Sequence, residues 1–330
     1  MITPIYTGAW GKCHIQGIAA DPEKGYLYYS FTTKLVKARM DGTVVGCVDG
    51  LLGHLGCIAF HQGKVYGSLE YKNDSIGKGI LKALGQETAL EDAFYIAVFD
   101  VDKIDRMDMD AEKDGIMTAV YLKEVVEDFS APGHRFGCSG IDGTTFGPIP
   151  GSTDGKHYLA VAYGIYGDVT RTDNDHQILL FYDVAEWDRL ARPLQQTAMH
   201  KSGPAAPVAK YKVFTGNTTY GVQNLEYDAA ENAYFMAVYP GKKPQYPNYH
   251  LFAVDASVPP KNGLLSLLKA GLHHEESDTY GWHFRQGSTG LYSFGNGEWL
   301  ISENHICEEG QCSLIYRYRY DKKHGFVLKS

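Results

Sequence analysis

One unit recurs along this chain and limits what the chain can fold into. A short strand of small and apolar residues runs into a polar turn, then a longer aromatic strand, then a third apolar strand that often leaves into Asp. Residues 14–21, 22–25 and 26–31 set the pattern, and residues 223–228, 229–232 and 233–238 repeat it. The same order returns at 54–69, at 134–163 across a longer loop, and at 283–302. Third strands follow at 34–39, 94–100, 177–183, 250–255 and 314–320, and a fourth, more polar strand is visible at 44–48 and 118–122. Internal repetition of this kind is read before any local feature, because it decides the architecture.

Four antiparallel strands per unit, repeated, predict an all-β chain closed as a β-propeller. Units beginning near residues 14, 54, 134, 220 and 283 give five blades; dividing one long unit would give six. The whole of 1–330 reads as one domain, with Ile5-Tyr6-Thr7 supplying the outer strand of the last blade. Segments 72–93 and 261–277 read as helical insertions, the second on the apolar face of Leu264-Leu265-Ser266-Leu267-Leu268. The composition, with 24 Tyr and 37 Gly in 330 residues, suits short strands joined by glycine turns.

Charge and hydropathy exclude some partners. The formal net charge is −8 and Lys and Arg are scattered, so no basic stripe exists to neutralise nucleic-acid phosphates. No apolar run approaches the length of a membrane-spanning helix. The first residues carry no charged segment followed by an apolar run, so the expected location is cytoplasmic. The six cysteines, at 13, 47, 57, 138, 307 and 312, are expected as reduced thiols, although Cys307 and Cys312 bracket a hairpin tip where a disulfide fits.

In a propeller the first strand of each blade lines the central channel, and the residues just before it ring the mouth. His14, His54 and His134 stand at that point in the first three units, His283 one position away in the fifth, and Tyr220 in the fourth. One step inside come Gln16, Gln223 and Gln286, with Gly56 and Phe136 in the other two units. Imidazole titrates near neutrality and also binds transition metals, so the ring suits proton transfer or a divalent metal on His14, His54, His134 and His283. The bland alternative is a set of polar side chains that satisfies loop carbonyls around a watery channel. The acids Asp142, Glu226 and Glu303 read as structural strand-end carboxylates, and their scarcity in the funnel weighs against a hydrolase.

The histidine ring resembles the four-histidine iron site of carotenoid-oxygenase propellers. The wider inventory of His, Tyr, Gln, Asn and Arg resembles the carbohydrate-active propellers that are polysaccharide lyases using His and Tyr; Ala20-Asp21-Pro22 resembles the first-blade motif of five-bladed glycosidases, although Asp21 lies at the far end of its strand from the mouth. The lyase resemblance implies β-elimination on a uronic-acid oligosaccharide, with His14, His54, His134, His283 and Tyr220 as proton carriers. Gln16, Gln223, Asn224, Arg285 and Gln286 would then hold the substrate. A loop of surplus length, from Tyr163 through Tyr166 and Arg171 to His176, is expected to overhang the same mouth, together with His305 in the matching turn of the fifth unit. The competing expectations are a non-catalytic propeller that binds glycans or proteins and a glycoside hydrolase; the unlike loops of the five units argue for one composite site rather than a repeated lectin pocket.

Overall fold

Side chains on a strand alternate between the two faces of its sheet, and here both faces are buried. Tyr28 and Tyr29 are adjacent in sequence yet enter different apolar clusters; Ala160 and Val161, Tyr234 and Phe235, and Leu300 and Ile301 divide in the same way. That double burial is why these strands read as unbroken apolar runs rather than alternating ones. The computed structural model describes residues 3–11, 13–86, 90–132, 140–164 and 167–329.

The result is a five-bladed β-propeller. Blade one pairs Ile15–Asp21, Tyr26–Phe31, Lys34–Arg39 and Val44–Asp49 in order, with Met109–Asp110 on its edge. Blade two pairs His54–His61, Lys64–Tyr71, Ala93–Asp100 and Met117–Tyr121. Blade three pairs Gly143–Gly147, Tyr158–Gly164, His176–Tyr182 and Ala209–Phe214, with Leu264–Leu265 outside. Blade four pairs Thr218–Asp228, Ala233–Pro240 and Leu251–Asp255, and Leu251 bridges on to Trp282. Blade five pairs Leu291–Ser293, Glu298–Cys307 and Gly310–Asp321, the last flanked by Gly325–Leu328 and Ile5–Tyr6.

Each apolar cluster joins two neighbouring blades, and the one containing Ile15, Tyr29, Val36, Leu300 and Ile315 joins blade five to blade one, closing the ring. The N-terminal strand completes the closure, with Ile5 opposite Ile315 and Tyr6 opposite Leu314. Along the axis the inner strands touch. A Cβ on Gly17 would lie 2.8 Å from the Ile58 nitrogen and 2.9 Å from the Cys57 Cα. Asn224 donates from Nδ2 to the carbonyls of Gln16 (2.9 Å) and Ser288 (3.2 Å), and Ser30 Oγ donates to the Gly56 carbonyl at 2.6 Å. The axis is therefore plugged at this depth, and the open space is a bowl above it.

Three expectations from the sequence change. The inner strand of blade three is Gly143–Gly147, not residues 134–141, of which 134–139 lie outside the described residues. Its buried Thr144 and Thr145 made it read as polar. The inner strand of blade five begins at Leu291, because Gly287 and Gly290, with φ of +87° and +157°, break the chain before it. Segment 261–277 forms no α-helix; Leu264–Leu265 pairs parallel to Lys212–Val213 and Leu267 bridges to Val254, so that leucine run caps blade edges. The insertion after blade two's second strand does hold a helix, α1 (Ser75–Ala83), and a second helix, α2 (Lys123–Ser130), follows that blade's outer strand. Among the described residues no helix is long and apolar enough to cross a membrane.

Candidate active site

Three inner strands carry an extra residue just inside the mouth. The pairing slips between Ile15 and Gly17, between Leu55 and Ile58, and between Val222 and Asn224. Such bulges re-aim side chains and are common beside active sites. Gln16 and Gln223 are the extra residues in blades one and four, and both carboxamides line one cavity. The cavity measures about 230 Å³ and is walled by His14, His54, Glu70, Lys72, Asp142, Tyr220 and Tyr239 besides the two glutamines, with Ile76 of α1 at its side.

Its floor is a charged cluster built by sheet register. His54 and Glu70 are direct cross-strand partners in blade two, and Asp142 arrives at the start of blade three. His54 Nδ1 lies 3.6 Å from Glu70 Oε1 and 3.4 Å from Asp142 Oδ1. Lys72 Nζ sits 2.9 Å from Glu70 Oε1, and the Ile141 backbone N–H donates to Glu70 Oε2 at 3.1 Å. Glu70, Lys72 and Asp142 are only 3%, 5% and 7% exposed, so these charges depend on one another rather than on water.

The environment sorts the titrating groups. Burial pushes the His14 pKa down and the neighbouring His54 adds to this, against a weaker pull from Asp142. Burial opposes a charge on His54 too, but Asp142 and then Glu70 outweigh it, and its pKa rises. Burial also raises Glu70, with Asp142 adding and Lys72 opposing. Lys72 is held above the ordinary lysine value because Glu70 and Asp74 overcome its burial. Gln16 Nε2 meets His14 Nε2 at 3.1 Å. Because an amide nitrogen only donates, that contact requires a lone pair on His14 Nε2, as in a neutral imidazole.

Of the residues expected from sequence, His14, Gln16, His54, Tyr220 and Gln223 meet here. Tyr220 stands at the exposed rim, edge-on to Tyr239 with ring centroids 5.7 Å apart. His134 and Tyr166 lie outside the described residues. His283 is elsewhere: its ring packs against Tyr249 at 5.0 Å and His250 at 5.9 Å, because the chain has not yet turned in to the axis at that point. Arg285 and Gln286, on the same approach, do not line the cavity either. Asn224 is the axial tie. Tyr163 is wholly buried in the core between blades two and three, its hydroxyl donating to Asp128. Arg171 forks onto Asp173 with contacts of 2.8 and 3.1 Å, His176 packs on Phe214 at 5.3 Å, and His305 stands exposed on the outer hairpin opposite Cys312.

The reading from sequence missed Glu70, Lys72 and Tyr239, and it set Asp142 aside as a structural strand-end carboxylate. Glu70, Lys72 and Tyr239 come from the ends of second strands, which return to the same face as the starts of the first. The signal was present: Glu70 and Lys72 interrupt a run that is otherwise buried and apolar. Asp142 and Glu70 also remove the argument from scarce funnel carboxylates, since both reach the cavity floor. His54, Glu70 and Asp142 are the described residues whose His and carboxylate donor atoms gather within 4.8 Å as a metal would need; of the four-histidine set only His54 takes part.

No family model matches the sequence, and no curated protein matches it. Among solved structures, the chain is similar to the PQQ-bound aldose sugar dehydrogenase of Streptomyces coelicolor (12% identity, TM-score 0.38, covering 94% of this chain and 95% of that one). It is similar to the calcium structure of the Trichoderma reesei carbohydrate-active enzyme of family AA12 (11% identity, TM-score 0.42, 91% and 80%). It is also similar to the periplasmic gluconolactonase of Pseudomonas aeruginosa (11% identity, TM-score 0.34, 94% and 70%). All three are named for carbohydrate chemistry, and superpositions this loose carry no argument about what this chain binds or converts.

Proposed function

We propose that this propeller is a carbohydrate-active enzyme that cleaves uronic-acid-containing oligosaccharides by β-elimination at the blade-one, blade-two and blade-four mouth. The observation that carries the reading is the convergence of His14, Gln16, His54, Tyr220, Gln223 and Tyr239 from three blades on one cavity of about 230 Å³. That space takes one or two sugar rings, and its walls offer hydrogen bonds to hydroxyls. When Gln16 turns its carboxamide from His14 Nε2 to the uronate, the freed lone pair on His14 Nε2 takes the C5 proton. The C5–H electrons form the C4=C5 double bond as the C4–O bond breaks. Tyr220 or Tyr239 gives its hydroxyl proton to the leaving oxygen. Gln16 and Gln223 hold the uronate and its neighbouring hydroxyls.

The test is incubation with uronate polymers while following the ultraviolet absorbance of the new double bond. The reading expects absorbance to rise with chain cleavage, and His14→Ala to lower the rate by about a hundredfold or more. New reducing ends without that absorbance would overturn it in favour of the second reading, a retaining glycoside hydrolase. Glu70 and Asp142 support that alternative, because two carboxyl groups meet in the cavity, as the acid and the nucleophile of a retaining enzyme must.

A further inference from the structure

On the cavity floor, His54 Nδ1 stands between two carboxylate oxygens at distances that hydrogen bonding does not explain. His54 Nδ1 stands 3.4 Å from Asp142 Oδ1 and 3.6 Å from Glu70 Oε1, beyond the range of a good charge-assisted hydrogen bond. A tetrahedral cation with bonds of about 2.0–2.2 Å to nitrogen and oxygen keeps its ligands about 3.3–3.6 Å apart. Both measured edges match that figure.

Two of the atoms are also orphans. Among the described residues, His54 Nδ1 and Asp142 Oδ1 are buried with no hydrogen-bond partner, and Asp142 is only 7% exposed. Leaving a buried acceptor unmet costs about 1–3 kcal/mol, and more when it is charged. A cation between them would satisfy both. The surroundings are shaped for it as well. Gly140 passes so close that a Cβ there would lie 2.8 Å from Asp142 Oδ2 and 3.1 and 3.2 Å from the Glu70 oxygens, and a Cβ on Gly56 would collide with the Asp142 carboxylate. The Ile141 N–H holds Glu70 Oε2 at 3.1 Å, fixing the rotation that presents Oε1 to the cluster, as outer partners do for metal-binding carboxylates.

We propose that His54 Nδ1, Glu70 Oε1 and Asp142 Oδ1 bind one divalent cation of the zinc class. Three protein ligands leave a position for water or a substrate oxygen, which places the ion at the base of the cavity rather than in a closed structural site. Mixed imidazole and carboxylate donors favour such ions over calcium, which prefers six to eight oxygens. Lys72, 2.9 Å from Glu70 Oε1, is a charge that the cation must share its ligand with, so moderate rather than extreme affinity is expected. The site differs from the four-histidine ring read from the sequence and shares only His54 with it.

The experiment uses the full chain, stripped with a chelator and titrated with zinc chloride by calorimetry, with cobalt chloride as a spectroscopic probe. One zinc per chain should bind, with a rise in the thermal midpoint, and cobalt should give the intense visible bands of low-coordinate nitrogen and oxygen ligation. Asp142→Asn, which keeps the side-chain shape, and His54→Ala should each weaken zinc binding more than about a hundredfold. His273→Ala, at a surface imidazole paired with Asp278, should leave it unchanged. If Asp142→Asn fails to fold, Glu70→Gln is measured in its place. Absence of stoichiometric zinc, or binding that survives loss of both His54 and Asp142, would overturn the site. Because binding is read without substrate, this result stands apart from the fate of the elimination reading.

Discussion

Glu226 shows what enclosure does to one carboxyl group in the ring. It sits on the inner strand of blade four, accepting from the Ser293 N–H at 3.0 Å and from Thr145 Oγ1 at 3.1 Å. Burial, with Asp228 adding a little, raises its pKa from 4.5 to about 8 against those two bonds. The folded state therefore holds a proton that the unfolded chain gives up near 4.5. The stability tied to Glu226 is fully present below pH 4.5 and is lost as pH climbs through about 8. Glu226→Gln, neutral at every pH, should flatten that decline and leave the variant more stable than the parent above the folded pKa. Urea midpoints measured across this range check it; parallel curves for the two proteins would contradict it.

At the scale of elements, the inner-strand bulges translate sequence into site. The repeat was legible because each strand has to feed two cores, so its apolar runs are long and its turns are sharp. Gln16 and Gln223 were legible as matching positions because the same bulge occurs at the same point of two blades. The match failed in blades three and five, where buried threonines and left-handed glycines replaced the apolar pattern. The 264–268 leucines misled because apolar spacing alone does not separate a helix face from an edge cap, while Gly263 and Gly271, both at φ +76°, mark the breaks. Two glycines give a paired prediction. Gly56→Ala puts a methyl against the Asp142 carboxylate and the Ser68 hydroxyl. It should cost about 1–3 kcal/mol and also reduce activity. Gly79→Ala, in the middle of α1 where an added methyl meets nothing beyond its own helix within 4 Å among the described residues, should instead stabilise by about 0.5–1 kcal/mol. Chemical denaturation of both variants reads the opposite signs.

Across the whole molecule, every blade is held by its two neighbours, so the ring is as strong as its weakest joint. Four of the five joints lie between blades that follow each other in the chain. The fifth brings residues from opposite ends together, through the cluster around Tyr29, Leu300 and Ile315 and through the strand Ile5–Tyr6. Thr7 extends this seam: it is fully buried, its Oγ1 accepts from the Ser313 N–H at 3.0 Å and donates to the Ser313 carbonyl at 3.2 Å. Deleting residues 1–8 would strip these bonds and leave the Gly310–Asp321 strand with part of its edge unpaired, a surface prone to pairing with other chains. The truncated chain should melt at lower temperature and associate with rising concentration. Because blades two to four keep both their cores, the loss of amide protection should begin at Leu314–Tyr316 and in blade one, while Leu179 and Leu180 at the centre of blade three keep theirs. Hydrogen exchange resolved by residue separates this from the alternative; equal loss in all five blades would mean that the ring opens as one cooperative unit and that its seam is no weaker than its other joints.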